Sequence, residues 1–260
     1  MITNKKVKEL ITWNQKSRAR READVFLAEG TKMFLEAPTK GIREIYVSES
    51  FFATEEVREK METIGYETVP DDTFRKISDT MTPQGILCVM ERMHYGLADL
   101  LKTKNPVIMV LEELQDPGNL GTILRTGEGA GVSGVVLSKG CVDIYNPKTI
   151  RSTMGSIYRV PFFYTDSLQE TIRELKENKI TVYAAHLKGT RYYDEFDYAD
   201  SFGTAFLIGN EGNGLTDETA SLADEYLKIP MEGSVESLNA AVAASVFMYE
   251  AYRQKRNNRK

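Results

Sequence analysis

Three short stretches carry the residue types that could do chemistry. Asn119, Gly121 and Arg125 stand in DPGNLGTILR, Glu211 sits among glycines in IGNEGNGL (208–215), and Ser237 and Asn239 stand in IPMEGSVESLNAAVAAS (229–245). Glycines in a loop after an apolar run let backbone N–H and C=O groups approach a ligand closely. An acidic side chain in that loop repels phosphate, which favours a nucleoside as the ligand. The same residues also make an ordinary turn, so the loop alone decides nothing. Arg125 shares a helix face with Gly121 and Thr122 and can project toward the loop end of the preceding strand. That end is where α/β sheets bind ligands. Asn119 and Ser237 are predicted as helix N-caps, whereas Asn239, in the first turn of an apolar helix, has less structural reason to be there.

Other candidates are weaker. Gly127-Glu128-Gly129-Ala130-Gly131 has glycines at dinucleotide-like spacing. It closes a helix, whereas phosphate binding needs glycines that follow a strand and open one. No phosphate-binding G-x-x-x-x-G-K-[ST] loop is present. His94 and His186 stand far from any matching partner and are expected to be structural. Cys88 and Cys141 lack a C-x-x-C neighbour, which argues for reduced thiols and against a metal site.

The elements that must position these residues alternate. A helix is expected over 5–21, then strands over 25–30, 42–48, 66–70 and 85–91 separated by helices near 33–37, 55–64 and 71–79, the last with Asp71 and Asp72 as N-cap candidates. Residues 96–105 are expected to link this region to a second one. There strands over 106–114, 132–137, 159–164, 179–187, 204–209 and 225–230 alternate with helices over 119–130, 147–154, 168–177 and 216–222, and a long helix begins near 237. The alternation implies two α/β layers, domains 1–95 and 106–260. The second has strands apolar throughout, as in a mostly parallel sheet with helices on both faces.

The 260 residues are 42% hydrophobic and 27% charged, an ordinary globular composition. No apolar run is long enough to span a bilayer, and the N-terminus lacks the apolar core of a secretory signal. A cytoplasmic protein without membrane partners is expected. The net charge of −5 conceals two basic ends. Residues 5–21 hold seven cations against Glu9 alone, and 253–260 hold Arg253, Lys255, Arg256, Arg259 and Lys260. Local field steers a polyanion. Lys16, Arg18, Arg20 and Arg21, interleaved with Trp13 and Asn14, are therefore candidate RNA contacts, while the tail reads as a solvated end.

The pattern Asn119-x-Gly121-x-x-x-Arg125, then IGNEGNGL, then IPMEGSVESLNAAVAAS resembles the three ordered motifs of the SpoU, or TrmH-like, RNA ribose 2′-O-methyltransferases. RSTMGSIYRVPF (151–162) is similar to the family's segment between the first two motifs. The first ninety residues, with FLAEG (26–30), resemble the family's substrate-binding domain, which is like ribosomal protein L30e. The resemblance implies S-adenosylmethionine bound in a deep trefoil knot, and a homodimer. It implies cofactor contacts at Leu207, Gly209, Ile229, Met231 and Leu238, and a catalytic set of Arg125, Asn119, Glu211, Ser237 and Asn239, in which Glu211 and Asn119 orient Arg125. The implied substrate is a ribose 2′-OH, the group that separates RNA from DNA. Ribosomal RNA, 23S above all, is the expected target and transfer RNA the second. A non-catalytic RNA- or cofactor-binding protein on the same scaffold is the alternative from another class.

Overall fold

Five of the first unit's residues explain why its N-terminal helix breaks. In the computed structural model, which describes residues 2–199 and 202–258, α1 (Asn4–Gln15) and α2 (Ser17–Ala23) are separate helices. Lys16 between them is extended, with φ −121° and ψ 110°. The break lets the Arg20 guanidinium turn back to donate to the Trp13 carbonyl (2.5 Å) and the Asn14 carbonyl (3.1 Å) and to pair with the Asp143 carboxylate (2.5 Å). Arg20 is only 3% exposed, so the expected RNA contact is instead a structural cation. Trp13 is buried with Leu10, Phe74 and Ile77, and the Asn14 amide donates to the Ile77 carbonyl. Neither interleaves with a basic surface, because the apolar stripe of α1 turns both inward. Lys16, Arg18 and Arg21 stay exposed, and Arg18 pairs with Glu22 at 2.7 Å.

The rest of this unit is a four-stranded sheet in the order β1-β4-β2-β3, built from β1 (Val25–Glu29), β2 (Ile42–Ser48), β3 (Glu67–Val69) and β4 (Ile86–Glu91). The central β4 runs antiparallel to both neighbours, and β2 and β3 are parallel. Helices α3 (Thr31–Glu36), α4 (Glu55–Ile64) and α5 (Asp71–Ile77) alternate with the strands. Pro70, not an aspartate, occupies the N-cap of α5, and Asp71 accepts hydrogen bonds from the Ser50 backbone N–H and hydroxyl.

The second unit begins at His94. Its first helix, α6 (Leu97–Leu100), falls where a linker is expected, yet Leu97 and Leu100 are buried in the unit's main core with Ile108, Val136 and Ile172. Three residues apart, the two leucines share a helix face. Strands β5 (Val107–Leu111), β6 (Gly134–Ser138), β7 (Phe162–Thr165), β8 (Thr181–Ala185), β9 (Arg191–Tyr192), β10 (Thr204–Ile208) and β11 (Glu225–Lys228) form one sheet in the order β7-β6-β5-β10-β8-β11-β9. Every pairing in it is parallel. The central β5, β6 and β10 are buried at every residue, as both covered faces of a parallel sheet require. The unit's helices are α7 (Pro117–Gly129), α9 (Leu168–Glu177), α10 (Asp217–Ala220) and α11 (Ala240–Asn257). Arg259 and Lys260 of the basic tail lie outside the described residues. Among the described residues no helix is long and apolar enough to cross a membrane, and no cluster of side chains could hold a metal ion.

The division into units does not follow the chain in one place. Residues Asp143–Tyr158, which include α8 (Pro147–Thr153), sort with the first unit rather than with the strands on either side of them. Within that unit Tyr145 exchanges hydrogen bonds with Met93 backbone groups (2.8 and 3.0 Å) and packs on Phe26 at 4.8 Å between ring centroids.

Replacing Arg20 leaves Asp143 and two carbonyls without their donor, a loss of about 3 kcal/mol. Arg20→Ala is expected to lower the unfolding free energy by that order, whereas Arg18→Ala, at an exposed pair, changes it by less than about 0.5 kcal/mol. Urea unfolding of the two variants beside the parent checks the difference.

Candidate active site

Three loops at the carboxyl ends of the parallel strands β5, β10 and β11 supply the site. The first follows β5. Asp116 caps α7 by accepting the Asn119 N–H at 2.8 Å, and Pro117 takes the first helical position. Helix α7 therefore starts earlier than expected, and Asn119 lies in its first turn rather than at the cap. That frees the Asn119 side chain: its Nδ2 donates to Glu211 at 3.0 Å and its Oδ1 accepts from Asn239 at 3.0 Å.

The second loop follows β10. The Asn210 and Gly214 backbones exchange hydrogen bonds of 3.0 and 2.9 Å, and Asn210 Oδ1 accepts from the Gly212 and Asn213 N–H groups. A Cβ at Gly209 would run into the Gly214 backbone, and Gly214 sits at φ +69°, so the tight closure explains both glycines. Glu211 at the tip reaches the start of α7, where its carboxylate accepts the Gln115 N–H (3.0 Å), the Asp116 N–H (2.9 Å) and the Asn119 amide. Burial pushes the Glu211 pKa up, but the Gln115 N–H, the Asn119 amide and the Asp116 N–H outweigh it and hold the group below the usual carboxylate range.

The third loop runs from the end of β11 to α11. Residues 229–239 have no regular structure, and α11 begins at Ala240, capped by Asn239, whose Oδ1 accepts from the Ala241 (2.9 Å) and Val242 (3.3 Å) N–H groups. Ser237 is thus not the cap and stands free in the loop. Ala241 and Ala244 of α11 are buried, and Ser245 reaches Thr126 of α7 at 3.4 Å. The small residues serve close packing of two helices within the unit.

The second and third loops, with Ala185, His186 and Leu187 at the end of β8, line a cavity of about 310 Å³; the first loop joins them through Glu211 and Asn239 rather than at the cavity itself. Residues 208–214 form one wall. Leu227 to Ile229, Met231, Ser237 and Leu238 form another, and Phe247 of α11 lies behind them. Gly209, Ile229, Met231 and Leu238 thus line it as expected contacts would. Leu207 does not: it is buried in mid-strand, and Ile208 takes its place at the cavity. His186, expected to be structural, also lines the cavity, stacked on Tyr226 at 4.9 Å with its Nδ1 accepting the Lys188 N–H. No pattern in the sequence marked it, because its neighbours in space come from a different strand.

Arg125 stands one and a half turns along α7 from Asn119, on the exposed face. Among the described residues no hydrogen bond or ion pair holds its guanidinium. The expected pairing of Glu211 with Arg125 is absent, because the Glu211 carboxylate is taken by the start of α7. The geometry thus separates a connected set, Glu211–Asn119–Asn239, from an open cation. Apolar walls, exposed backbone groups and the carboxylates of Glu211 and Glu236 suit a nucleoside that bears positive charge.

Known proteins match along the whole chain. Residues 106–249 match the model of the SpoU rRNA Methylase family, and residues 4–88 match that of the MRM3-like substrate binding domain. The 23S rRNA (guanosine(2553)-2′-O)-methyltransferase RlmP of Bacillus subtilis is 34% identical over 249 residues, 95% of each chain. The SpoU methyltransferase AviRb of Streptomyces viridochromogenes, solved in complex with AdoMet, superposes with a TM-score of 0.87 at 25% identity over 97% of this chain and 98% of its own. The AdoMet-bound rRNA methyltransferase of Sinorhizobium meliloti gives 0.85 at 30% identity over 97% and 96%. With the family model matched over residues 106–249 and a relative 34% identical over 95% of each chain, the chain belongs to the SpoU rRNA methylase family.

Proposed function

We propose that this protein methylates a ribose 2′-hydroxyl of 23S ribosomal RNA, with S-adenosylmethionine held in the cavity between the glycine loop and the loop that leads to α11. The observation that carries the reading is the cavity itself, with glycine-loop backbone on one side and Ile229, Met231 and Leu238 on the other; Glu211 ties this loop to the helix that bears Arg125, which has no partner among the described residues. Bound S-adenosylmethionine supplies the electrophilic methyl group. Gly209 and its neighbours offer backbone groups to the adenosine, and the apolar side chains exclude water from it. The ribosomal target is inferred from the relative named for guanosine 2553 of 23S rRNA. Relatives named as tRNA/rRNA methyltransferases keep transfer RNA as the second reading.

Arg125 acts on the acceptor. A guanidinium is a fixed cation in proteins, which suits it to stabilise charge rather than to take the 2′-OH proton. It stabilises the negative charge that develops on the 2′ oxygen as that oxygen takes the methyl group and its proton passes to bulk water, and it binds the neighbouring phosphate. Glu211, Asn119 and Asn239 position it by fixing the start of α7, and Ser237 faces the ligand from the third loop. Lys16, Arg18 and Arg21 of the N-terminal unit are the proposed RNA contacts. The resemblance-based expectations of a trefoil knot, a cytoplasmic location and a homodimer belong to the same reading. For the homodimer, α11 offers Val242, Tyr249 and Tyr252, which are 48%, 50% and 36% exposed on the helix that packs against α7.

Arg125→Ala is expected to cut turnover by about 10²–10³-fold while S-adenosylmethionine binding stays intact. Mapping 2′-O-methyl groups in total RNA from cells with and without the gene tests the substrate: loss of one 23S position is the expected result, and loss of a transfer-RNA mark instead supports the second reading. Intact RNA methylation in the deletion, with cofactor binding retained, supports a non-catalytic binder.

Because the folded Glu211 pKa lies below its unfolded value, the order it confers on the start of α7 is present above the ordinary carboxylate range and lost as pH falls through the folded pKa. S-adenosylmethionine affinity is therefore expected to stay flat as pH falls to the ordinary carboxylate range and to drop only below it, as the carboxylate protonates. Glu211→Gln should bind more weakly at neutral pH and lose that acid limb. Calorimetric titrations across the range check both. Tyr249→Glu places a charge in the exposed stripe of α11 and is expected to halve the sedimentation-equilibrium mass; an unchanged mass argues against that seam.

A further inference from the structure

Glu112 follows directly on β5, one residue before the loop that leads to α7. It is 6% exposed and does not itself line the cavity, yet its carboxylate takes three donors from the far end of the glycine loop. Thr216 donates its backbone N–H (2.8 Å) and its hydroxyl (2.8 Å), and Thr219 donates its hydroxyl. The Glu112 backbone N–H meanwhile donates to the Ile208 carbonyl at 2.9 Å. One residue therefore holds both feet of the loop, Ile208 on one side and Thr216 on the other. Thr216 is also the N-cap of α10, accepting the Thr219 N–H at 3.2 Å, so the same contact starts the helix that ends the loop.

The interior of the loop does not need this anchor. Residues 210–214 close on themselves through Asn210, and Glu211 ties the tip to α7. What those bonds leave undefined is the tilt of the closed loop relative to the strand from which it rises. A buried carboxylate with three donors fixes that tilt, since bonds to a charged acceptor are about twice as strong as neutral ones. Removing it would leave the hydroxyl of the fully buried Thr219 without this acceptor.

We propose that Glu112 is a positioning residue for the cofactor: by clamping Ile208 and Thr216 it sets the attitude of the 209–214 wall and thereby the affinity for S-adenosylmethionine. This rests on the reading of the cavity as the cofactor site. Glu112 acts through Thr216 and Thr219 and has no role in the transfer itself.

The test compares Glu112→Leu, which keeps the buried volume and removes the acceptors, with Glu112→Gln. The amide can still offer its oxygen to the Thr216 N–H while the two threonine hydroxyls turn to accept from its nitrogen. S-adenosylmethionine binding is measured by calorimetry, and amide hydrogen exchange by mass spectrometry. Glu112→Leu is expected to weaken binding at least tenfold and to speed exchange within 208–220 alone, leaving β6 and β8 as protected as in the parent. Glu112→Gln is expected to stay within threefold of the parent. Thr219→Val, which removes one donor at a near-isosteric site, is expected to lose affinity a few-fold and to add nothing to Glu112→Leu, as for groups acting through one contact. Parent-like binding by Glu112→Leu overturns the proposal, as does equal loss in the leucine and glutamine variants or faster exchange throughout the sheet. Should Glu112→Leu fail to fold, parent-like affinity in Thr219→Val overturns it instead. A parent protein that binds no S-adenosylmethionine overturns the cofactor reading itself, a result separate from variants that bind as the parent does.

Discussion

The site depends on a carboxylate placed where a helix is most receptive to one. The first N–H groups of α7 have no partners within the helix, and the peptide dipoles leave partial positive charge there. Glu211 fills that position from a loop nearly a hundred residues away, accepting the Gln115 and Asp116 N–H groups and the Asn119 amide. Asn119 then accepts from Asn239, which caps α11. Three segments remote in sequence are joined by a short chain of hydrogen bonds that starts at one glutamate. The same chain engages the Glu211 carboxylate, and Arg125, on the exposed face of α7, has no partner among the described residues.

Much of this was legible in the residues. Strands with apolar side chains on both faces, such as TAFLI and VIMVL, announce a covered parallel sheet, and the glycines of 209–214 announce a loop that must close tightly. Gly209 and Leu238, which the resemblance marks as cofactor contacts, both line the cavity. The errors lie where two segments compete for one role. Asp116 and Asn119 are both plausible caps; Asp116 prevails because Pro117 behind it suits the first helical position. Ser237 and Asn239 compete in the same way, and the side chain that can also donate to Asn119 is the one at the cap. Arg20 shows the limit most plainly. Its partner Asp143 stands 123 residues away, and no local pattern distinguishes a buried cation from a solvated one in a basic helix.

Both units use buried acids to hold loops in place. In the first, Glu29 ends β1 and accepts from the hydroxyls of Ser78 (2.9 and 2.8 Å) and Thr80 (3.0 Å), fixing the segment that leads to β4. In the second, Glu112 ends β5 and accepts from Thr216 and Thr219. Hydroxyl donors on short side chains lose little rotamer freedom when fixed, which makes serine and threonine economical partners for a strand-end carboxylate. Neither pairing follows any repeat or spacing in the sequence.

The sorting of residues 143–158 with the N-terminal unit bears on how the chain is made. Arg20, Phe26 and the Met93 backbone find their partners in Asp143 and Tyr145, which leave the ribosome some fifty residues after residue 93. By then β5, α7 and β6 have already been synthesised. The first unit therefore cannot close when its own contiguous segment is finished; it waits, with a buried cation and an aromatic surface uncovered, for a piece embedded in the next. Domains of most chains fold in order of emergence. Here the two are interleaved in time, and the N-terminal unit becomes complete only after the start of the catalytic sheet exists.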